Sequence, residues 1–544
     1  MSDPGTAVHV RHWDVENDEF WETYGKKIAN RNLWISIPNL LLAFAIWIIW
    51  SIIAAQIQEV HDANPNAYAF GGLTGDAYSA LLFTLPAVAG LSGATLRIPN
   101  SFMIAISGGR NVIAMTSLLL LLPTLGVGIT LRDPNVSFTA LVIFAVLSGV
   151  GGGAFASSMS NISFFFPKRV QGLSLGLNAG LGNVGVSIMQ VLLPVVMTFS
   201  LFGALISGDA VEGVWITNAG LVWVPVLVIF ILAAWFKMNN MPHHAPGTSA
   251  AAVGRYLWLQ MMGFGGATLG TAALLLGWGD WFAQPIPNLL KIFLVLAVSV
   301  LTAMALMRYV TPKEIKENLL DQFRIFKSKH NWIMTWLYVM TFGSFIGFSG
   351  AFPLLIINTF NTVRADAAGA PLAEGAWFAN PDPINAFAFA WLGPLVGSLI
   401  RPVGGWMSDK WGGARVTHWD TMAMIAVTIG VSIFIIFARS SPTPEQYFAP
   451  FLILFLLLFT TTGIGNGSTF RMVPIIFERE QAGPVLGWIS AIAAYGAFLI
   501  PAIFGVTITA GVPEAAMWGF AVYYVTCLAV NWWFYARKNA EMPC

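Results

Sequence analysis

The sequence has 544 residues, of which 56% are hydrophobic and 10% charged, and a mean hydropathy of +0.70. Soluble chains carry roughly 25% Asp, Glu, Lys and Arg, so this charge cannot coat a soluble domain of such length and most of the exterior must face lipid. A formal net charge of +1 offers no broad surface to nucleic acid or to an acidic partner. Cys527 and Cys544 form neither a disulfide framework nor a zinc spacing, and no metal or cofactor is expected.

The first thirty residues are mixed and charged (His9, Arg11, His12, Asp14 and Glu16 among them), and no cleavable signal peptide is expected before the first apolar run. A bilayer core of about 30 Å needs roughly 20 apolar helical residues. By that rule about 14 spans are expected, near 33–57, 77–106, 112–131, 138–165, 171–200, 214–236, 256–278, 286–308, 332–358, 384–406, 417–438, 447–477, 483–509 and 514–536. Loop charge tests them. Lys26, Lys27, Arg31, Arg110, Lys168, Arg169, Lys237, Arg255, Lys410, Arg415, Arg537 and Lys538 fall on one side. Glu59, Asp62, Asp76, Asp209, Glu212, Asp280, Glu374 and Asp382 fall on the other, together with Arg364, and Arg132 and Arg439 are exceptions. By the positive-inside rule both termini are expected in the cytoplasm. Residues 239–252, with His243, His244, Pro246 and Gly247, read as a linker. In 311–330, Ile315, Leu319, Phe323 and Phe326 recur at helical spacing between basic residues, the pattern of an amphipathic helix at the membrane surface.

Two stretches repeat. Gly-Ala-Thr-Leu-Arg at 93–97 matches Gly-Ser-Leu-Ile-Arg at 397–401, and Gly-Leu-Gly-Asn at 180–183 matches Gly-Ile-Gly-Asn at 463–466. The pairs suggest a duplicated bundle, an architecture that places substrate between its halves near the midplane.

Arg97 and Arg401 sit inside apolar segments. A charge there costs about 2.5–3.5 kcal/mol even on the lenient insertion scale and usually marks a substrate path. No Asp or Glu within the spans is an obvious partner, so the natural counter-ion is an anion from outside. The guanidinium fork suits a planar oxyanion. The bland alternative is snorkelling or bonding to helix carbonyls, and for Arg471, near a helix end, snorkelling is preferred. Gly172, Gly176, Gly180, Gly182 and Gly185, with Gly151 to Gly153 and Gly463, Gly465 and Gly467, permit close helix approach. Packing and a substrate-lining role are equally open for them. Asn183 and Asn466 offer amides at membrane depth. Tyr338 and Phe342 share a helix face at i,i+4, with core packing the default for both and for Phe155.

The run Asn161-Ile-Ser-Phe-Phe-Phe-Pro-Lys-Arg followed by Gly172-Leu-Ser-Leu-Gly-Leu-Asn-Ala-Gly-Leu-Gly-Asn-Val-Gly resembles the first signature of the nitrate/nitrite porter family of the major facilitator superfamily. Gly463-Ile-Gly-Asn-Gly-Ser-Thr-Phe-Arg-Met resembles its second, and Thr341-Phe-Gly-Ser-Phe-Ile-Gly-Phe is also similar. Gly405-Trp-Met-Ser-Asp409-Lys-Trp-Gly-Gly-Ala-Arg415 resembles the superfamily's loop motif, and Gly108-Gly109-Arg110 is a degraded copy. The resemblance implies an all-α polytopic fold of two six-helix bundles. It implies that Arg97 and Arg401 hold nitrate or nitrite, that Phe155 and Phe342 sandwich it, and that Tyr338 and Asn183 complete the pocket. Residues 1–32 are then a cytoplasmic segment, 33–238 and 331–538 the bundles, and 539–544 a tail. Residues 239–330 are a central linker with two added helices, for which no role is assigned. Arg471 stands where the second signature leads one to expect a neutral residue.

On this reading the chain is a monomeric, non-enzymatic transporter in the bacterial inner membrane, with nitrate, nitrite and lipid as its partners. Nitrate entering alone climbs about 2.3 kcal/mol per 100 mV, whereas exchange for nitrite is electroneutral. Proton symport is the alternative, but Asp420 reads as a helix-end residue and no deep carboxylate is evident. Another small-anion antiporter predicts more basic residues along the path. A haem-bearing redox subunit needs paired histidines within spans, and all seven lie in loops or at ends.

Overall fold

The computed structural model describes residues 10, 12–242, 248–276, 285–373 and 376–544. His9, Arg11, His243, His244, Pro246, Gly247, Asp280 and Glu374 lie outside them. Thirteen of the described helices are long and apolar enough to cross a membrane. In the first half these belong to α1 (Asp18–Ala63), α2 (Gly75–Asn100), α3 (Gly109–Thr130), α4 (Phe138–Phe165), α5 (Lys168–Val196) and α6 (Asn218–Lys237). Next come α7 (Ser249–Leu275), α8 (Pro285–Tyr309) and the short α9 (Lys313–Gln322). The second half holds α10 (Lys329–Phe360), α11 (Ala386–Trp411), α12 (Gly413–Arg439), α13 (Pro444–Ile476), α14 (Gln481–Thr509) and α15 (Glu514–Ala536).

The expected fourteenth span is α7. It is a 27-residue helix, but Gln260, Thr268, Thr271 and its glycines dilute its apolarity and it is not among the thirteen. It lies antiparallel to α8: a Cβ on Gly265 would fall 2.6 Å from Leu306, and one on Gly270 would fall 2.8 Å from Ser299. The first helix starts at Asp18 rather than near residue 33. A π-helical turn, Trp21–Gly25, carries it through the charged segment, and Trp21 and Ile28 bury against Phe165 and Phe166. In the interfacial segment, Ile315 and Leu319 are buried on α9 as their spacing predicts, and a 3₁₀ turn, Phe323–Lys327, follows.

The two halves repeat in detail. Gly108 ends one helix and starts α3 at φ 81° and ψ 139°. Gly412 does the same before α12 at φ 88° and ψ 137°, a backbone region that glycine reaches without strain. Close packing also repeats. A Cβ on Gly152 of α4 would lie 2.5 Å from Gly93 Cα, and one on Gly463 of α13 would lie 2.3 Å from the Gly397 carbonyl. The second sequence repeat is therefore out of register. The counterpart of Gly463 is the Gly149–Gly153 cluster on the fourth helix of the first half, because it is that cluster which packs on the arginine-bearing helix. The 180–183 match lies on the fifth helix, α5.

The halves meet on both sides of the middle. Gly487 of α14 abuts Ser101, just past the end of α2, with a Cβ-to-Cβ approach of 2.7 Å if Gly487 carried a methyl. Toward the other side Gln190 Nε2 donates to the Ser349 carbonyl at 2.9 Å. Arg439, an exception to the loop-charge rule, is neutralised locally: Nη1 lies 3.3 Å from Glu514 Oε2 and 2.7 Å from the Gly511 carbonyl.

Candidate anion site

Arg97 projects from α2 and Arg401 from α11, and both are buried. Arg97 donates from Nε to the Gly152 carbonyl at 2.7 Å and from Nη1 to the Ser490 carbonyl at 3.2 Å. It thus joins its own half to α14 of the other. Its Nη2 has no partner, and neither has Nη1 of Arg401. Arg401 Nη2 donates to the Tyr338 hydroxyl at 3.0 Å. Among the described residues no carboxylate pairs with either guanidinium. The carbonyl bonds foreseen in the bland alternative do form for Arg97, yet they leave each arginine with an unused donor.

The two charges share one ring. Phe155 of α4 has its centroid 4.9 Å from Arg97 Cζ and 5.7 Å from Arg401 Cζ. Phe342 lies 5.1 Å from Arg97 Cζ and stacks on Phe155 at 5.5 Å and 22°. Such faces attract cations through the ring quadrupole. Flat contact on two faces needs ~3.5 Å on each side, so an ion has room between these rings only after they part. Tyr338 stacks on Phe342 at 5.6 Å and 4°. A π-helical turn, Val339–Gly343, follows Tyr338 directly and carries Phe342; such turns recur at functional sites.

Asn183 on α5 is buried with Oδ1 unpartnered, and Asn466 on α13 has neither amide atom bonded. No hydrogen bond ties either to the arginines. The signature glycines divide. Gly182 meets Leu40, Gly463 meets Gly397, Gly465 meets Thr341 and Asp420, and Gly467 meets the Arg401 carbonyl. Gly176 has open space and Gly180 faces only the Ser398 carbonyl, at 3.6 Å. Gly172 lies early in the same helix, α5. In the loop motif, Gly405 has open space, Arg415 is exposed, and Asp409 takes Arg471 Nε at 2.5 Å. Arg471 is thereby paired on the protein rather than merely snorkelling.

Several site residues escaped the sequence reading. Phe470 lies 5.2 Å from Arg401 Cζ and 4.9 Å from the Tyr338 ring; its position inside the second signature was the available signal. Trp47 lies 5.2 Å from Arg97 Cζ, and no local pattern marked it or Ser490. Asp420, read as a helix-end residue, is buried on α12 with Oδ2 unpartnered. A Cβ on Gly465 would fall 2.7 Å from that oxygen, so a carboxylate buried in the bundle is present after all.

The added pair also reaches the site. Thr95, two residues before Arg97, bonds Ser299 of α8 at 2.7 Å and the Tyr495 hydroxyl of α14 at 2.8 Å, all three buried. The α14 helix breaks at Ala494–Tyr495, close to Ser490, which takes the Arg97 bond. Ser299→Ala is expected to slow transport several-fold while costing no more than about 0.5–1.5 kcal/mol, because Thr95 keeps the Leu91 carbonyl and the Tyr495 hydroxyl as partners. Initial uptake rates and thermal unfolding of the purified protein read the two effects separately.

No family model matches the chain. It is 34% identical to a probable nitrate/nitrite antiporter NarK2 of Thermus thermophilus, over 98% of each chain. It is 33% identical to the nitrate/nitrite transporter NarU of Escherichia coli, over 97% of this chain and 96% of that one. Its fold is similar to the partially occluded inward-open xylose transporter XylE of E. coli, with a TM-score of 0.53 at 14% identity, covering 94% of this chain and 99% of that one. A second XylE structure, described as a major facilitator superfamily proton:xylose symporter, gives 0.52. At such identities these structures speak to fold alone. With whole-length relatives above 30% identity, the chain belongs to the nitrate/nitrite transporter family, on a fold similar to that of a major facilitator superfamily transporter.

Proposed function

We propose that this protein exchanges nitrate for nitrite across the bacterial cytoplasmic membrane by alternating access, acting as a monomer with both termini in the cytoplasm. The observation that carries the reading is the buried arginine pair: two guanidiniums on one phenyl ring, no carboxylate paired with them among the described residues, and one unpartnered terminal nitrogen on each. A small planar oxyanion supplies the missing charge and accepts those hydrogens. Binding relieves the repulsion between the two cations, so the loaded site reorients more readily than the empty one. Exchange moves no net charge, which removes the electrical cost of nitrate entry.

Proteoliposomes holding the purified protein test this directly. Nitrate uptake is expected only in vesicles preloaded with nitrite, and is expected to ignore an imposed pH gradient. Uptake into empty vesicles driven by the gradient replaces exchange with proton symport, and the buried Asp420 favours that second reading. The two separate cleanly in Asp420→Asn. Exchange predicts a variant that still swaps nitrate for nitrite within about threefold of the parent rate, as expected when no charge-assisted bond is lost. Symport through Asp420 predicts that gradient-driven uptake vanishes.

A further inference from the structure

The end of α8 and the segment after it enclose a cavity of about 470 Å³. Its walls are apolar, with Leu301 and Met304 from α8 and Phe323 and Phe326 from the 3₁₀ turn, and Arg308 and Lys327 stand at its rim. Leu301 is 68% exposed, so the groove opens sideways, where the hydrocarbon of a bilayer would lie. Most neighbouring cations are paired: Arg255 with Glu314, Lys313 with Glu317, Arg324 with Asp321 and Lys329 with Glu541, and Lys316, which is not, does not line the groove. Among the described residues, Arg308 and Lys327 have no such carboxylate. The acids of this segment are taken, and two cations remain beside an apolar trough.

Both groove aromatics touch the seam between the halves. Phe323 meets Phe102 at 5.3 Å, and Phe326 meets Trp488 at 4.6 Å, edge to face. Phe102 follows Ser101 and Trp488 follows Gly487, the pair through which α2 and α14 close on this side.

We propose that this groove binds an anionic phospholipid, with its phosphate between Arg308 and Lys327 and an acyl chain along Leu301 and Met304, and that the bound lipid holds the Ser101–Gly487 seam closed. Basic pockets at a helix–membrane boundary recognise such headgroups, and the apolar wall selects an amphiphile over a free anion. A ligand that packs on the closed seam and loses Phe323 and Phe326 when it opens shifts the population toward closure. The inference rests on the membrane reading above and not on which anion crosses.

Native mass spectrometry of the whole protein in detergent, with phosphatidylglycerol and phosphatidylethanolamine offered together, tests the site. Phosphatidylglycerol is expected to be retained in preference, and each of Arg308→Gln and Lys327→Gln is expected to weaken retention about fivefold. Lys316→Gln removes a cation outside the groove and is expected to change little. Equal retention of the two lipids, an equal loss in Lys316→Gln, or displacement by inorganic phosphate each overturns the site. The seam is read in a Ser101→Cys variant lacking Cys527 and Cys544. Its labelling by a maleimide in vesicles is expected to slow several-fold when phosphatidylglycerol is present, and labelling indifferent to the lipid overturns the coupling. Neither readout depends on nitrate, so their failure is distinct from failure of the transport reading.

Discussion

Arg97→Lys and Arg401→Lys are each expected to lower nitrate exchange by about a hundredfold or more. Arg97 spends two donors on the Gly152 and Ser490 carbonyls and keeps Nη2 for the anion. Arg401 spends one on Tyr338 and keeps Nη1. A lysine is a point cation on a flexible stem and cannot satisfy fixed acceptors and a planar anion together. Each charge-assisted hydrogen bond lost is worth about 1.5–3 kcal/mol, and the loss of one or two gives the stated factor. The variants should differ in character. Arg97→Lys also cuts a link between the halves, so it should change maximal rate and affinity together, whereas Arg401→Lys should act chiefly on affinity. Initial rates across nitrate concentrations measure both, with size-exclusion profiles confirming the fold. A lysine variant that transports at more than a third of the parent rate would remove that arginine from the site.

Gly463→Ala is the second change with a large expected effect. The new methyl would lie 2.3 Å from the Gly397 carbonyl and 2.3 Å from Ile400 Cγ2. The carbonyl cannot yield, so α13 must move away from α11 within one turn of Arg401. Overpacking of this kind costs about 1–3 kcal/mol, and it also shifts Arg401 relative to Phe155 and Phe470. Thermal stability and transport should fall together. Gly176→Ala is the contrast: nothing lies within 4 Å of its added methyl, so stability should hold or rise by about 0.5–1 kcal/mol, alanine being the better helix former. If Gly463→Ala left both properties unchanged, the tight contact between α11 and α13 would not be a constraint on the site.

What the sequence determined by itself was whatever rests on transfer from water to lipid. Low charge and long apolar runs defined a polytopic helical protein, and the cost of placing Arg97 and Arg401 among apolar residues marked them without any coordinates. Their spacing from Gly93 and Gly397 revealed the duplication, and the signature residues carried the family. Register between elements was beyond its reach. The glycine match at 180–183 looked equivalent to 463–466, yet contact across helices assigns that role to Gly149–Gly153, because a motif does not record which neighbour it touches. Arg471 found Asp409 and Arg439 found Glu514 through pairings 62 and 75 residues apart. Asp420 looked terminal because its distance from the chain's turn was short, whereas its burial depends on α10 and α13 closing over it. Trp47, Phe470 and the Ser490–Tyr495 stretch join the site from three separate helices. Close packing across helices far apart in sequence decides such contacts, and apart from Phe470's place in the second signature the local sequence carries no trace of them.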